Sequence, residues 1–269
     1  LAPGRKRTKP GYFWALTRDD RPWDGDDPPG VAFTYAPGRS GQHADTILKG
    51  FGGILQVDGY AGYNRLLKRP AQDVTLAYFW AHARRKFDEA IKAQGKPQKG
   101  KPAKAGKAQM GLSYIQKLYR IEKQISDQPP DKKLVIRQQQ SLKVLVDLRK
   151  WLEKSLPQVP PKSALGKALH YLHNQWDKLV RYCDAGYLRM DNNLAENAIR
   201  PFVVGRKNWL FSNSQAGARS SANLYSLIET AKANGVEPYI YLSRVLTELP
   251  AAESVNAIEN LLPWNKQLN

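Results

Sequence analysis

A mixed α/β fold is predicted by three features: short apolar runs, amphipathic helical patterns, and the order in which they alternate. Two apolar aromatic runs are joined by a turn rich in proline and aspartate, as expected for neighbouring strands. The order strand, strand, helix, strand, strand, helix then favours one mixed sheet with flanking helices. The predicted strands are residues 12–17, 31–35, 54–57 and 74–79, and the predicted helices are residues 44–51 and 81–93.

A helical insertion is predicted in the middle of the chain. Residues 93–108 are rich in Lys, Gly, Pro, Ala and Gln, which indicates a mobile basic linker that either contacts phosphates or is simply solvated. Residues 109–185 follow as three helical patterns separated by the pairs Pro129-Pro130 and Pro160-Pro161. Apolar stripes on these helices predict a small bundle with no catalytic constellation of its own. The three patterns cover residues 111–127, 131–156 and 163–183.

The charge predicts a polyanionic partner. The 269 residues carry a formal net charge of +18, which favours nucleic acid or an anionic membrane surface. No apolar run reaches the roughly 18 residues of a membrane span, and no leader peptide is recognisable, so a cytoplasmic protein is predicted. Cys183 is the single cysteine and is expected to be a small buried helix residue.

One candidate acid, Glu196, lies in the segment Asp191-Asn-Asn-Leu-Ala-Glu-Asn-Ala-Ile-Arg-Pro201. Asp191 is a suitable N-cap for a helix over residues 192–199, and Asn193, Glu196, Asn197 and Arg200 then share one face. A carboxylate among amides and a guanidinium can bind a hard cation such as Mg²⁺. The alternative is a solvated face with a Glu196–Arg200 ion pair.

A second candidate acid, Asp58, ends the apolar run of residues 54–57 and is followed by Gly59. An Asp at the carboxyl end of a buried strand lies where open α/β sheets bind ligands, and Gly59 and Gly62 permit a sharp turn there. The alternative is an ordinary turn residue or helix cap, since Asp-Gly is a common turn dipeptide.

Six segments, in this order, resemble the transposases of the insertion sequence 66 family. They are Leu55-Gln-Val-Asp-Gly-Tyr-Ala-Gly-Tyr-Asn64, Trp80-Ala-His-Ala-Arg-Arg-Lys-Phe87, the Asp191–Pro201 segment, Gly205-Arg-Lys-Asn-Trp-Leu-Phe211, Tyr225-Ser-Leu-Ile-Glu-Thr-Ala-Lys-Ala-Asn-Gly235 and Leu262-Pro-Trp-Asn265. The resemblance runs nearly from end to end of the chain.

The resemblance implies an RNase H-like catalytic domain that cuts and joins DNA strands with two divalent metal ions, Mg²⁺ or Mn²⁺. In that pattern Asp58 is the second acid and Glu196 the third. It further implies an oligomer on transposon-end and target DNA, accessory proteins of the same element, and a place at the nucleoid. The predicted segments are a catalytic domain split over residues 1–92 and 186–236, the linker, the insertion, and a C-terminal helical segment over residues 237–269.

The family's first acid is expected just upstream of the segment resembling Leu1-Ala-Pro-Gly-Arg5, which would leave it outside this sequence. Asp19 and Asp20 are the nearest substitutes, although they close the first predicted strand. Two alternatives to an active transposase therefore stay open. One is a truncated, catalytically inactive remnant that only binds DNA, and the other is a nuclease on the same fold.

Basic residues beside the two acids are the predicted DNA contacts. Arg206 and Lys207 are expected to contact phosphates, with Trp209 mainly in the core. His82 is expected either to contact DNA or a metal-bound water, or to serve as a cap or packing residue. Phe79 and Glu229 are interpreted as structural. The predicted DNA-binding set is His82, Arg84, Arg85, Arg200, Arg206, Lys207 and Arg219.

Overall fold

The computed structural model describes residues 8–70, 73–94 and 106–265. Most of the predicted basic linker lies outside these residues. The chain divides into two compact units, the first formed by Leu1–Ile47 with Asn193–Asn269 and the second by Leu48–Asn192. The predicted split of a catalytic domain around an insertion stays a prediction.

The first unit combines an antiparallel hairpin with long helices. Strands β1 and β2 pair so that Ala15 lies opposite Phe33. Ala198 and Phe202 are the buried residues of helix α8, which packs on β1, and the Phe13 and Phe202 ring centroids are 4.3 Å apart. Its elements are β1 (Tyr12–Arg18), β2 (Gly30–Ala36), α1 (Gly41–Ile47), α8 (Asn193–Trp209), α9 (Gln215–Ala233), α10 (Pro238–Glu248) and α11 (Val255–Glu259).

Helix α9 closes the second edge of strand β2 with polar side chains. The hydroxyl of Thr230 accepts from the Val31 amide at 3.1 Å and donates to its carbonyl at 2.9 Å. The Ser226 hydroxyl accepts from the Phe33 amide at 2.8 Å. Four helix residues rise about 6 Å and two strand residues about 6.6 Å, so the spacings match. The helix thus replaces a neighbouring strand, which satisfies backbone groups that an open edge would leave unpaired.

The second unit contains a parallel strand pair and the helices of the predicted insertion. Strands β3 and β4 pair in register, with Val57 opposite Tyr78. Leu118, Leu148 and Leu169 are fully buried in the helical part of the unit, as the predicted apolar stripes require. The elements are β3 (Gly53–Val57), β4 (Val74–Tyr78), α2 (Trp80–Ala93), α3 (Lys107–Gln124), α4 (Pro130–Ile136), α5 (Leu142–Ser155), α6 (Ala164–Asn174) and α7 (Trp176–Val180).

A buried arginine joins these helices to the segment that leads out of the unit. Arg137 is 2% exposed and binds both carboxylate oxygens of Glu122, at 2.9 and 2.7 Å. Its guanidinium also donates to the carbonyl of Leu188 at 2.9 Å and to three further carbonyls, those of Tyr182, Ala185 and Gly186. The arginine lies in a π-helical turn, Arg137–Ser141, that interrupts the long predicted helix over residues 131–156. The buried guanidinium therefore donates all of these hydrogen bonds to carboxylate or carbonyl oxygens of the same unit.

The predicted strands are confirmed to within two residues at their ends, and several helix boundaries were predicted incorrectly. Helix α1 begins three residues before the predicted start, and helix α8 continues through Pro201 to Trp209 rather than ending at residue 199. The long helix predicted over residues 163–183 breaks at Gln175. The described residues form a predominantly helical α/β structure with two two-stranded sheets, one in each unit, in place of the single predicted mixed sheet.

None of the helices in the described ranges is long and apolar enough to cross a membrane.

Candidate active site

Asp58 lies directly after strand β3, at the carboxyl end of the parallel β3–β4 pair. Its side chain is exposed, and its Oδ1 accepts a hydrogen bond from the amide of Tyr60 at 3.0 Å. Gly59 has a φ of +81°, the conformation that the sequence predicted at this turn. Asp58 therefore caps the turn, as the alternative interpretation expected, and its exposed carboxylate also lies at the carboxyl end of a parallel strand. The binding of a ligand at this position stays a prediction.

The strand that carries Asp58 is fixed by the partly buried side-chain amide of Gln56. The Gln56 side chain donates to the carbonyl of Arg189 at 2.7 Å and accepts from the Arg189 amide at 3.0 Å. Gln56 thereby pairs with the backbone of residues 188–190 much as a neighbouring strand would. The amide of Trp80, the first residue of α2, donates to the Met190 carbonyl at 2.9 Å. These bonds hold the Asp58 strand and the start of α2 to one segment of the same unit.

The residues beside Asp58 include tyrosines and a lysine that the sequence did not single out. Burial, and then the charge of Asp58, raises the pKa of Tyr78. Burial, followed by the charges of Tyr78 and Asp58, raises the pKa of Tyr171 to about 12. The Nζ of Lys178 lies 2.7 Å from Oδ1 of Asn64. Tyr171 and Lys178 belong to the predicted insertion, so their proximity to Asp58 arises only from the tertiary fold.

Glu196 lies in the first turn of helix α8 in the other unit, and its side chain is exposed. Within the described part of the chain, Glu196 and Arg200 form no ion pair with each other. Both residues are exposed, as the alternative interpretation of a solvated helix face expects. A carboxylate near a helix N-terminus is favoured by the helix dipole. A metal site shared by Asp58 and Glu196, which belong to different units, stays a prediction.

The basic residues predicted on the first unit lie at the surface of two helices. Arg200, Arg206 and Lys207 are exposed on α8, and Arg219 is exposed on α9. Of the described acids, none lies within ion-pair distance of these four side chains. Arg206 and Lys207 occupy the last turn of α8, where cations also stabilise the free carbonyls of a helix.

Trp209, which ends α8, belongs to a partly exposed aromatic cluster. Its ring packs on Phe202 and Tyr225 with centroids 6.0 and 6.2 Å apart, yet the residue is 41% exposed. The next residue, Leu210, has a φ of +60° and is 67% exposed. The prediction that Trp209 lies mainly in the core is therefore wrong, because the residue is exposed although its ring contacts Phe202 and Tyr225.

The predicted basic residues on α2 make contacts within the second unit. The Nη2 of Arg85 lies 3.0 Å from Nδ1 of His82. Arg84 lies 3.8 Å from the carboxylate of Asp88 and 5.5 Å from the ring centroid of Tyr119. His82 is therefore part of a local pair on the first turn of α2, and its contact with DNA stays a prediction.

The two residues considered as substitutes for a first acid are engaged in ion pairs. Asp19 binds Arg21 at 2.8 Å, and Asp20 binds Arg18 at 2.7 Å. Arg18 also pairs with Asp27, so the acids at the end of β1 stabilise the turn that follows. Phe79 is buried, Cys183 is buried with a pKa raised to about 11 chiefly by burial, and Glu229 binds Lys232, as the structural interpretations of these residues require.

The two predicted acids have the donor chemistry of ligands for a divalent metal ion. Asp58 and Glu196 offer the hard oxygen ligands that Mg²⁺ and Mn²⁺ prefer, and both carboxylates are exposed. The ranges 8–70, 73–94 and 106–265 contain no group of three or more His, Cys, Asp or Glu side chains that could hold an ion. The two acids fit as partial ligand sets that would need further oxygen donors, such as water or DNA phosphates.

The chain belongs to the IS66 family of transposases. The family model described as "Transposase IS66 family" matches residues 1–220, and the model described as "IS66 C-terminal element" matches residues 226–264. The resemblance drawn from the six ordered segments is thereby confirmed. The Tyr225–Gly235 segment of that resemblance contains Ser226 and Thr230, which close the edge of β2.

Similar proteins from Sinorhizobium fredii are named without a function. The uncharacterized proteins y4jD and y4qI are each 36% identical over 270 residues, which cover 98% of this chain and 51% and 48% of theirs. The uncharacterized protein y4hP is 32% identical over 266 residues. The chain spans about half the length of these relatives. No solved structure matches it.

Proposed function

We propose that this chain is the catalytic part of a DNA transposase, with an RNase H-like arrangement in which Asp58 and Glu196 act together. The observation that carries the proposal is the place of Asp58, whose exposed carboxylate follows a parallel strand and is fixed by the Tyr60 amide. Family membership and the charge of +18 support DNA as the substrate.

The proposed reaction is phosphoryl transfer without a covalent enzyme intermediate. Two divalent ions, when bound, would supply charge neutralisation and lower the pKa of the attacking oxygen. Asp58 and Glu196 would hold them through carboxylate oxygens. Exposed basic side chains on α8 and α9 would position the DNA backbone by contacts to phosphates, which set register without reading sequence.

The catalytic role of Asp58 and Glu196 is tested by a strand-transfer assay. The assay uses the protein as its natural gene encodes it. Asp58→Asn and Glu196→Gln should each abolish joining of a transposon-end oligonucleotide to target DNA while sparing DNA binding. Asp147→Asn, at an exposed acid of helix α5, is the matched control and should join strands normally. Full joining by either active-site variant would overturn the assignment.

The same assay separates the alternatives. Cleavage with no joining in the wild-type protein would favour a nuclease, because water is the attacking group in hydrolysis and a DNA 3′-hydroxyl is the attacking group in strand transfer. Binding with neither reaction would favour the DNA-binding remnant.

The proposed phosphate contacts are tested by salt dependence. Arg206→Ala with Lys207→Ala should weaken binding to unrelated DNA sequences and reduce the slope of log affinity against log salt by about two. Lys132→Ala with Lys154→Ala removes the same two charges from exposed positions in the helical unit and should leave the slope unchanged. Equal slopes for both double variants would contradict a phosphate role for the end of α8.

A further inference from the structure

A lysine of the helical part of the second unit lies at the carboxyl end of the parallel strands. The Nζ of Lys178 is 2.7 Å from Oδ1 of Asn64, 3.4 Å from the hydroxyl of Tyr78, and 4.9 Å from the centroid of the Tyr78 ring. Tyr78 ends β4, and Asn64 lies in the turn that follows Asp58. Helix α7 therefore brings a cation to the same edge of the sheet as the proposed catalytic acid.

A second lysine and a buried hydroxyl lie close to the turn that follows Asp58. The Nζ of Lys86 is 5.0 Å from the ring centroid of Tyr171. The Tyr171 hydroxyl is buried and has no hydrogen-bond partner within the described ranges. It packs against the Asp58 turn so closely that a Cβ on Gly59 would lie 2.8 Å from it. A larger residue at position 59 would therefore have to displace the Tyr171 hydroxyl, and the positive φ of this position also favours glycine.

Neither lysine of this group is paired with a described carboxylate, although the charge of Asp58 reaches the neighbouring rings of Tyr78 and Tyr171. In the described part of the chain neither Lys86 nor Lys178 forms an ion pair, and Asp177, the chain neighbour of Lys178, acts on it only at longer range. Burial lowers the pKa of Lys178, which records the cost of removing an ammonium group from water. A half-buried cation without a counter-ion gains most when an anion binds. The Tyr171 hydroxyl is itself enclosed, so the two ammonium groups are the donors that an anion can reach.

We propose that Lys178 and Lys86 form a phosphate subsite at the carboxyl end of the parallel strands, near Asp58, which binds a backbone phosphate of DNA next to the phosphate that is attacked. The assignment of the phosphate to DNA rests on the proposed function. Asn64 positions Lys178 by accepting a hydrogen bond from one of its three N–H groups, which leaves others for the phosphate oxygens. The subsite would hold the substrate strand in register with the carboxylate of Asp58.

Chemical labelling of individual lysines tests the subsite without any need for catalysis. The protein as its natural gene encodes it is treated with a trace amount of an amine-acylating reagent, and acylation of each lysine is quantified by mass spectrometry. A short single-stranded oligonucleotide should protect Lys178 and Lys86 several-fold, whereas Lys167, exposed on α6, serves as the unprotected reference. Unchanged acylation of Lys178 at saturating oligonucleotide would overturn the proposal.

Inorganic phosphate forms the second arm of that experiment. Protection by the oligonucleotide at concentrations far below those needed for inorganic phosphate would assign the site to the DNA backbone. Protection by inorganic phosphate alone would overturn the DNA assignment and indicate a small phosphate ligand.

Variants then separate binding from folding. Lys178→Met should weaken oligonucleotide affinity several-fold and reduce the salt slope by about one, Lys178→Arg should restore most of both, and Lys167→Met should change neither. Equal affinity and slope in Lys178→Met and wild type would contradict a phosphate contact.

The labelling experiment also distinguishes failure of the subsite from failure of the proposed function. If DNA protects Lys178 from acylation in the wild-type protein but the protein joins no strands, the subsite proposal stands and the catalytic proposal is wrong. If it joins strands while Lys178 stays unprotected, the catalytic proposal stands and the subsite falls.

Discussion

The two units stabilise their strands by different means. In the unit of Leu48–Asn192, the strand carrying Asp58 is held by a partly buried amide at Gln56, and the segment bonded to that amide is held by a buried charge at Arg137. In the other unit, hydroxyls of α9 close the edge of the hairpin, while the end of the Glu196 helix exposes apolar and basic side chains. In the Asp58 unit, hydrogen bonds inside the unit hold the candidate site in place. In the Glu196 unit, the end of the Glu196 helix stays exposed to solvent, where a ligand can contact it.

Removing the buried charge should have the largest effect on stability. Arg137→Met leaves Glu122 without its partner and four carbonyls without a donor, so the free energy of unfolding should fall by about 3–5 kcal/mol. Urea unfolding followed by circular dichroism measures the change. Arg149→Met, which breaks the more exposed pair with Glu153, is the control and should cost about 1 kcal/mol or less. Equal losses in both variants would show that burial of Arg137 contributes nothing special.

The role of Arg137 illustrates what the sequence leaves undetermined. In the printed sequence it is one of many basic residues on a helical pattern, and those are usually solvated. Nothing local distinguishes it, because its partners at residues 182–188 are separated from it by more than forty positions. The same holds for Lys178, whose hydrogen bond to Asn64 arises only from the tertiary fold.

Local patterns, by contrast, predicted the strands and the position of Asp58 correctly. Alternating apolar and aromatic residues define β1 and β2, and Asp-Gly after an apolar run defines the turn at Asp58. The rule that proline ends a helix failed at Pro201, where burial of Phe202 against Phe13 accompanies continuation of α8. Tertiary packing overrode a local preference there, which a single sequence does not reveal.

Closing the hairpin edge with hydroxyls should contribute a moderate amount. Ser226→Ala and Thr230→Val each leave backbone groups of β2 without a partner, and each should lower the free energy of unfolding by about 1–3 kcal/mol. Hydrogen exchange at the amides of Phe33 and Val31 should accelerate correspondingly. Ser220→Ala removes a hydroxyl that bonds only to its own helix and should change stability by less than about 0.5 kcal/mol. Unchanged exchange in both β2 variants would contradict the edge-closing role.

Alkaline pH should affect the Asp58 side of the molecule through Tyr171. Its pKa in the folded state is raised to about 12, mainly by burial, so the folded protein holds the proton more tightly than the unfolded chain. Its stabilising contribution is therefore complete below about pH 10 and is lost as the pH rises toward about 12. Unfolding measured at about pH 9 and about pH 11.5 should show a smaller loss in Tyr171→Phe than in wild type. Tyr239→Phe, at an exposed ring, should behave like wild type, and equal losses in all three proteins would contradict the linkage.

The smallest effect is expected at Leu210, where the exposed end of the Glu196 helix is strained. A side chain at a φ of +60° costs about 1–2 kcal/mol, and a residue that is 67% exposed regains little by packing. Leu210→Gly should therefore be about 1 kcal/mol more stable than Leu210→Ala, which keeps the strain and loses the side chain. Thermal unfolding of the two variants measures this difference.

A strained, exposed leucine between Trp209 and Phe211 suggests that its side chain is kept for contact with a ligand, since strain concentrates at functional sites. Leu210→Gly should then lower the affinity for DNA even as it raises stability, with Arg206 and Lys207 unchanged beside it. Ala at the same position should lower affinity equally, because both variants lack the side chain. A more stable Leu210→Gly protein with wild-type affinity and strand joining would contradict a DNA contact at Leu210. The strained backbone would then be a structural feature of the end of α8 without a role in binding.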